Sequence, residues 1–304
     1  MIVTITLNPC IDKSTSVPEI KPEVKLRNTE PKNEPGGGGI NVSKALAKLE
    51  VVSSALFPAG GHNGGMLKAL LTTAKIPFRS VNTNVETREN WIVVESDTRR
   101  QFRFTFPGLE IETDTVKALL DELHAFSPSY VVASGSLPPG LPNNFYGLVV
   151  KRAKAAGARC IVDTSGDALK ALEGKGAFLI KPNLNELARL LGLDHININE
   201  VDDAAQQLIQ NGFAEIIAIS LGSHGAWIVS ASEKHLIRAP KVDVKTTVGA
   251  GDSMVAGITY MLHKNETLKN ALRFGVCCGS AATMNAGTEL FKVTDVWRLY
   301  KELE

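Results

Sequence analysis

The stretch YVVASGS, Tyr130–Ser136, and the segments that follow it decide the fold. It is short, apolar, rich in β-branched residues and ends in small polar ones, which is typical of a buried strand. Similar runs start at Ala158 (ARCIVDTSG), Gly176 (GAFLIKPN) and Glu215 (EIIAISLG). The segments NNFYGLVVKRAKAAG, NLNELARLLGL and VDDAAQQLIQNG lie between these runs and have the periodicity of amphipathic helices. This alternation predicts an α/β fold with a mostly parallel sheet covered by helices on both faces.

Two regions, residues 12–34 and 86–107, lack helical periodicity. We expect them to form a small antiparallel β-sheet that stands off the core as a lid, while residues 1–11, 35–85 and 108–304 form the core. In RQFRFTFPG, alternation places Phe102, Phe104 and Phe106 on one face. An exposed apolar face needs a cover, which favours a homodimer through the lids. The alternative is that these phenylalanines pack against the core of their own chain.

Composition excludes several classes of protein. The 304 residues include 33 Lys and Arg against 32 Asp and Glu, so a general nucleic-acid surface is not expected. No segment approaches the roughly 18 apolar residues of a membrane span, and MIVTITLNPCID is typical of a first strand rather than a signal peptide. None of the four cysteines belongs to a CxxC pair, which favours a cytoplasmic protein.

The stretch TTVGAGDSM, Thr246–Met254, predicts an anion site. Helical periodicity resumes after Asp252, so Gly249, Ala250 and Gly251 precede or form the first turn of a helix. Free backbone N–H groups at that point can bind an anion, and glycines allow it to approach closely. Asp252 beside them suits a general base for a hydroxyl that attacks a phosphoryl group. The alternative is a simple helix terminus with a capping aspartate.

Three more loops at predicted element boundaries are candidate ligand sites. In KPNLNEL, Asn183 and Glu186 are three residues apart and suit Mg²⁺, although a helix-capping pair explains them equally well. SLGSHGAW, from Ser220, can contact nucleotide phosphates or form a plain turn. GGGGIN opens a helix, so its amides can approach a sugar or a phosphate, with Asn41 adding a directional hydrogen bond.

The predicted lid carries four cations, Lys25, Arg27, Arg88 and Arg103, with Asp12 at its base. Their concentration in a chain of nearly zero net charge indicates a bound phosphate, whose oxygens fit the planar donors of arginine. A solvated charged surface is the alternative.

The ordered set GGGGINVSKAL, SGSLPPG, KPNLNE, SLGSHGA and TVGAGDSMVAG resembles the ribokinase-like sugar kinases of the PfkB family over essentially the whole chain. EPGGGGINV, FPAGG, GSLPPG and VGAGDSMV are most similar to the phosphosugar branch. The resemblance implies a ribokinase-like fold and ATP-dependent, Mg²⁺-dependent phosphorylation of fructose 6-phosphate to fructose 1,6-bisphosphate. Tagatose-6-phosphate kinase and 1-phosphofructokinase activities are the alternatives, and a non-catalytic sugar-phosphate sensor is a more remote one.

The resemblance also implies residue roles. Asp252 would be the base, and Gly249, Ala250 and Gly251 the anion hole. Substrate would be bound by Asp12, Lys25, Arg27, Gly38, Gly39, Asn41, Arg88, Arg103 and Ser136. ATP would be bound by Lys181, Asn183, Ser220, Leu221, Gly222, Ser223, His224, Gly225, Val276 and Ser280. Asn183 and Glu186 would organise Mg²⁺.

A monovalent cation, usually K⁺, sits behind the anion hole in members of the family. The residues in the corresponding positions are Thr246, Val248, Ala282, Asn285 and Gly287. Glu289 stands where close members of the family carry a basic residue.

Overall fold

The alternating segments form one large sheet with helices on both faces, as the sequence predicted. The structure, a computed structural model, describes residues 1–285 and 289–303. The strands in these ranges are β1 (Ile2–Ile5), β2 (Cys10–Val17), β3 (Lys32–Gly36), β4 (Ser53–Ala59), β5 (Phe78–Asn82), β6 (Arg88–Glu95), β7 (Gln101–Thr105), β8 (Tyr130–Ser134), β9 (Arg159–Asp163), β10 (Ala177–Ile180), β11 (Ala214–Ser220), β12 (Ala226–Ser230) and β13 (Lys234–Ile237).

Nine of these strands form the main sheet, in the order β13-β12-β11-β10-β9-β8-β1-β4-β5. All pairs from β11 to β5 are parallel, whereas β12 and β13 run antiparallel at one edge. The direction changes after β11 because only five residues, 221–225, connect it to β12. So short a connection permits an antiparallel return and not a crossover.

The helices are α1 (Gly38–Lys48), α2 (Gly61–Thr73), α3 (Thr113–Asp121), α4 (Phe145–Ala155), α5 (Gly166–Lys170), α6 (Leu184–Leu190), α7 (Val201–Gln210), α8 (Ala250–His263), α9 (Leu268–Thr283) and α10 (Val293–Glu302). Two large buried clusters flank the sheet. Val149 of α4 and Leu208 of α7 belong to one, and Leu46 of α1 and Phe274 of α9 belong to the other. No helix in the described part of the chain is long and apolar enough to cross a membrane.

A second sheet, which we call the lid, has the order β3-β2-β6-β7. Its outer pairs, β2–β3 and β6–β7, are antiparallel as predicted. Its inner pair, β2–β6, is parallel, with Asp12 opposite Asn90. The inner pair is parallel because β2 and β6 begin two separate excursions that leave the core in the same direction.

One face of the lid exposes large apolar side chains. Phe104 and Phe106 are each 49% exposed, so they do not pack against the core of their own chain. Phe102 is partly buried, with the Arg100 guanidinium 6.0 Å from its ring centre. The alternative interpretation, intrachain packing, therefore does not describe Phe104 and Phe106.

Candidate active site

The site lies at the carboxyl edge of the parallel strands, where open α/β sheets bind ligands. β8 ends at Ser134, β9 at Asp163 and β10 immediately before Lys181. The beginnings of α1 and α8 face the same edge, because Asn41 and Asp252 are in contact there. Residues that are more than 200 positions apart in the chain thus converge.

Asp252 lies in the first turn of α8, which begins at Ala250 after Gly249. Gly249 has a φ of 72°, a left-handed conformation that favours glycine. The Asp252 carboxylate accepts a hydrogen bond from Asn41 Nδ2 at 3.0 Å and a longer one from Ser134 Oγ at 3.4 Å. The predicted base is therefore held beside the predicted anion hole. Ser134 was not predicted to belong to the site, although it lies in the strand-forming stretch Tyr130–Ser136.

The protonation of Asp252 suits a base. Burial, with the nearby Asp163 charge adding to it, raises the pKa of the Asp252 carboxyl to about 6, against the hydrogen bond from Asn41 and the charge of Lys181. A general base works best when its pKa lies near the operating pH. Asp252 is then ionised at neutral pH yet basic enough to accept a proton.

Lys181 supplies a fixed cation beside the anion hole. Its ammonium group lies 3.2 Å from the Asp163 carboxylate, with both side chains largely buried. A Cβ placed on Gly251 would lie only 3.6 Å from Lys181 Nζ. Burial lowers the pKa of Lys181, but the Asp163 carboxylate outweighs that effect, and the pKa of Lys181 is raised. The lysine therefore stays charged beside the predicted anion hole, and Asp163, which was not predicted, anchors it.

Asn41 presents an unsatisfied acceptor to the site. Its Nδ2 is engaged by Asp252, while its Oδ1 is buried with no hydrogen-bond partner among the residues that the structure describes. A buried amide oxygen is costly to leave unpaired, so it fits a ligand hydroxyl that donates to it. The unpaired Asn41 Oδ1 is therefore consistent with a sugar hydroxyl bound near Asp252.

The lack of a side chain at Gly38 and Gly39 is required by the packing of the protein itself, apart from any role in ligand binding. A Cβ on Gly38 would lie 2.2 Å from Ser134 Oγ, and one on Gly39 would lie 2.4 Å from the Ile5 carbonyl oxygen. Their absence of side chains lets α1 begin directly against the ends of β1 and β8. That close approach places Asn41 within reach of Asp252.

At the base of the lid, Arg88 and Asp12 share one network. Arg88 Nη1 donates to Asn90 Oδ1 at 3.1 Å, and Asn90 Nδ2 donates to Asp12 Oδ1 at 3.0 Å. Arg88 also donates to the Asn8 carbonyl, and Asn8 Nδ2 donates to Ser136 Oγ at 3.2 Å. Three residues predicted to bind substrate are thus connected through Asn8 and Asn90, which were not predicted.

The other lid cations are placed differently. Arg103 Nη2, on β7, donates to Thr247 Oγ1 at 3.2 Å, so the lid contacts the loop that leads into α8. Lys25 and Arg27 are exposed on the connection between β2 and β3. Within the described residues, no hydrogen bond or ion pair ties either of them to the site. The binding of a phosphosugar by Lys25 and Arg27 stays a prediction.

A cavity of about 630 Å³ adjoins the N-terminus of α8. Six of the residues predicted to bind nucleotide line this cavity, together with two residues of the predicted anion hole. They are Ser220, Gly222, Ser223, Gly225, Val276 and Ser280, and Ala250 and Gly251. Lys181, Asn183, Leu221 and His224 are not in its lining. Its other wall, from Ala239 to Thr247, was missed because that segment has no periodicity and no recognisable motif.

Asn183 and Glu186 form the capping pair that was one of the two interpretations. Asn183 Oδ1 accepts from the Glu186 amide at 2.9 Å, and Glu186 Oε2 accepts from the Asn183 amide at 2.8 Å. These bonds engage one side-chain oxygen of each residue. The role in organising Mg²⁺ stays a prediction. The described residues contain no cluster of three or more His, Cys, Asp or Glu side chains suited to a metal.

The predicted monovalent-cation residues are only partly described. The Lys245 and Thr246 amides donate to the Thr283 carbonyl, which brings the Thr246 loop against the end of α9, near Ala282 and Asn285. Thr246 Oγ1 also accepts from the Val248 amide at 3.1 Å. Gly287 lies outside the described residues. Glu289 pairs with Lys32 of the lid at 3.1 Å.

Comparison with known proteins agrees with this geometry. The profile of the pfkB family of carbohydrate kinases matches residues 1–294. The ATP-dependent 6-phosphofructokinase isozyme 2 of Escherichia coli is 41% identical, over 99% of this chain and 98% of its own length. The 1-phosphofructokinase of Bacillus subtilis is 33% identical, over 96% of each chain.

Solved structures agree as well. Phosphofructokinase-2 from Escherichia coli in complex with potassium superimposes with a TM-score of 0.95 at 40% identity, over 99% of this chain and 98% of that one. Two more structures of that protein, one with fructose-6-phosphate and one of a tetrameric inhibited form, each give a TM-score of 0.93 at 39% identity, with the same coverage.

Proposed function

The chain belongs to the pfkB family of carbohydrate kinases, and we propose that it is an ATP-dependent 6-phosphofructokinase. It transfers the γ-phosphoryl group of ATP to the 1-hydroxyl of fructose 6-phosphate and yields ADP and fructose 1,6-bisphosphate. The observation that carries this proposal is the contact of Asp252 with Asn41 at the glycine-rich start of α8. The predicted base Asp252, the unpaired Asn41 Oδ1 that can accept a hydrogen bond from a sugar hydroxyl, and the predicted anion hole lie next to one another there.

Asp252 accepts the proton of the attacking hydroxyl. The hydroxyl oxygen forms a bond to the γ-phosphorus while the bond from that phosphorus to the bridging oxygen of ADP breaks. Amides at the start of α8, with the helix dipole behind them, stabilise the charge on the transferred group. Lys181 adds a positive charge beside them, and no covalent enzyme intermediate is needed.

The two substrates are assigned to opposite sides of Asp252. The large cavity lined by Ser220, Gly225 and Ser280 accommodates ATP, and its border at Ala250 and Gly251 brings the γ-phosphate to the anion hole. The base of the lid, with Asp12 and Arg88, accommodates the phosphosugar. We assign the lid to residues 12–34 and 86–107, and we place Lys25, Arg27 and Arg103 with the sugar phosphate.

Mg²⁺ is assigned to the start of α6. Glu186 retains a second carboxylate oxygen beyond the capping bond, and Lys181 and Asp163 lie close by. A single carboxylate with an amide fits Mg²⁺, which keeps several waters and binds chiefly to nucleotide phosphates. When bound, Mg²⁺ neutralises phosphate charge.

We also propose that K⁺ binds beside Thr246 and that the protein is cytoplasmic.

A homodimer through the lids accounts for the exposed apolar face of β7. Phe104 and Phe106 are half exposed, and a second copy of the same face is the partner that covers them. Sedimentation velocity over a range of concentrations tests this assignment. A monomer at every concentration would contradict it, and a tetramer would extend it.

The substrate assignment is tested by a coupled assay of ADP release with fructose 6-phosphate, tagatose 6-phosphate and fructose 1-phosphate. We expect kcat/KM for fructose 6-phosphate to exceed the others by about tenfold or more. A higher value for either rival would reassign the substrate and retain the kinase. Absence of ADP release with all three would favour a sugar-phosphate sensor. The Asp252→Asn variant, purified in parallel, controls for contaminating kinases.

A further inference from the structure

Among the residues that the structure describes, Asn90 is the one side chain that hydrogen-bonds to both Asp12 and Arg88, at the two ends of the proposed sugar site. Its Nδ2 donates to Asp12 Oδ1 at 3.0 Å, and its Oδ1 accepts from Arg88 Nη1 at 3.1 Å. We propose that Asn90 is a positioning residue that sets the spacing between the carboxylate that binds sugar hydroxyls and the guanidinium that binds the sugar phosphate. The inference rests on the proposed function and adds a determinant of substrate choice.

The backbone places Asn90 between its two partners. Asp12 on β2 lies directly opposite Asn90 on β6, and Cys10 lies opposite Arg88. Residues two apart on a strand share a face, so Arg88 and Asn90 project from the same side of β6. The register of the inner lid pair therefore brings the carboxylate, the amide and the guanidinium together.

The chemistry of the partners fixes the orientation of the amide. A guanidinium can only donate, and an ionised carboxylate can only accept. Asn90 must therefore turn Oδ1 to Arg88 and Nδ2 to Asp12, and a flipped amide would lose both bonds. The Phe106 amide also donates to Oδ1, at 3.3 Å, which further favours this orientation.

Asp12 keeps one oxygen available for a ligand. Both Asn90 Nδ2 and Cys10 Sγ donate to Oδ1 of Asp12. A Cβ on Gly36 would lie 2.3 Å from Oδ2, so the glycine leaves the space beside that oxygen open. Asn90 thus orients the carboxylate so that Oδ2 can meet a sugar hydroxyl.

Asn90→Asp is the sharpest test, because it keeps the size and the acceptor but removes the donor. Two carboxylates would then face each other, and Asp12 would lose its position. We expect the KM for fructose 6-phosphate to rise on the order of tenfold, as for a lost hydrogen bond to a charged group. The KM for ATP should stay within about twofold, because Asn90 is not among the residues that line the cavity proposed to bind ATP.

The pH dependence of sugar binding separates this role from a merely structural one. At acidic pH, a proton shared between the two carboxyl groups would restore a donor, since two carboxylates at one site favour a protonated form. The dissociation constant of fructose 6-phosphate, measured by calorimetry relative to wild type at each pH, should therefore recover in Asn90→Asp as the pH falls. A defect that is independent of pH would contradict the proposal.

Two more variants complete the design. Asn33→Asp makes the same charge change at an exposed position of the lid and should leave both KM values unchanged. Asn90→Ser is too short to bridge both partners and should lower the preference for fructose 6-phosphate over fructose 1-phosphate by several-fold. An unchanged preference in Asn90→Ser, or an equal rise of both KM values in Asn90→Asp, would overturn the role. If wild type turns over no sugar phosphate, the proposed function fails instead.

Discussion

The base of the active site and the lid above it are built on opposite principles. Lys181 and Asp163 lie largely buried at the ends of adjacent strands, in a sheet covered on both faces. The lid is a single four-stranded layer, and its Lys32 pairs at the surface with Glu289 of the core, each side chain being more than half exposed. The charges at the strand ends are fixed by burial, whereas the exposed charges of the lid lie on a thin layer. Substitutions in the two regions should therefore differ in kind.

The largest effect is expected from Asp252→Asn. Loss of a general base lowers kcat by roughly 10²–10⁴-fold, while the dissociation constant of ATP should change little because the cavity is intact. Stopped assays and calorimetry measure the two quantities. An active variant would remove Asp252 from its role.

The same variant should be more stable than wild type above about pH 6. The pKa of Asp252 is raised from 3.8 to about 6, so the folded state favours the protonated form. Ionisation therefore costs stability progressively as the pH rises from about 4 to about 6. Asparagine avoids that cost, so its Tm should exceed the wild-type value at pH 8 and equal it below pH 4.

Lys181→Met should combine a loss of stability with a shift of the pH profile. Breaking a buried ion pair from one side costs about 3–5 kcal/mol of unfolding free energy, because Asp163 stays buried and unpaired. The charge of Lys181 lowers the pKa of Asp252, so its removal should move the acid limb of kcat/KM, which we expect near the Asp252 pKa of about 6 in wild type, to higher pH.

Adding Asp163→Asn to Lys181→Met provides the control for that prediction. The double variant should regain much of the lost unfolding free energy, because it no longer buries an unpaired carboxylate. Denaturant unfolding measures the unfolding free energy, and kinetics at several pH values measure the position of the acid limb of kcat/KM. An acid limb in Lys181→Met at the same pH as in wild type would contradict the electrostatic coupling between Lys181 and Asp252.

Arg103→Ala should act on one substrate only. The guanidinium donates to Thr247, and we place it with the sugar phosphate, so its loss should raise the KM for fructose 6-phosphate on the order of tenfold. The KM for ATP should change less. Equal changes in both constants, measured in the same coupled assay, would argue against a phosphate clamp.

The smallest effect is expected from Lys32→Ala. Exposed ion pairs contribute about 0–1 kcal/mol, so the unfolding free energy and both KM values should stay near the wild-type values. Glu289→Ala and the double variant complete a mutant cycle. A coupling energy above about 1 kcal/mol would mean that the lid is fixed to the core as firmly as the strand ends are to one another.

The sequence predicted most of the strands and helices, but few of the contacts between residues that are far apart in the chain. The strands from Tyr130 to Ser220, the helix after Gly249 and the strands of the lid follow from periodicity and composition. The contact between Asn41 and Asp252 spans 211 positions and depends on how closely α1 approaches the sheet, which no local pattern encodes.

Residues without a motif were missed for the same reason. Ser134 and Asp163 are ordinary strand endings until the fold places them beside Asp252 and Lys181. Asn90 is one polar residue in an alternating strand, and only the lid register gives it partners. Asn183 and Glu186 show the converse, since one spacing satisfied two interpretations and the structure contains the capping pair.

The four chain segments that join the lid to the core restrict how it can open. β3 is joined to α1 by the single residue Gly37, whereas β7, at the opposite edge, is joined to α3 by the seven residues 106–112. The β3 margin of the lid is therefore tethered to the core by a shorter connection than the β7 margin. A rotation of the lid about its β3 margin would displace β7 more than β3 and would separate Arg103 from Thr247.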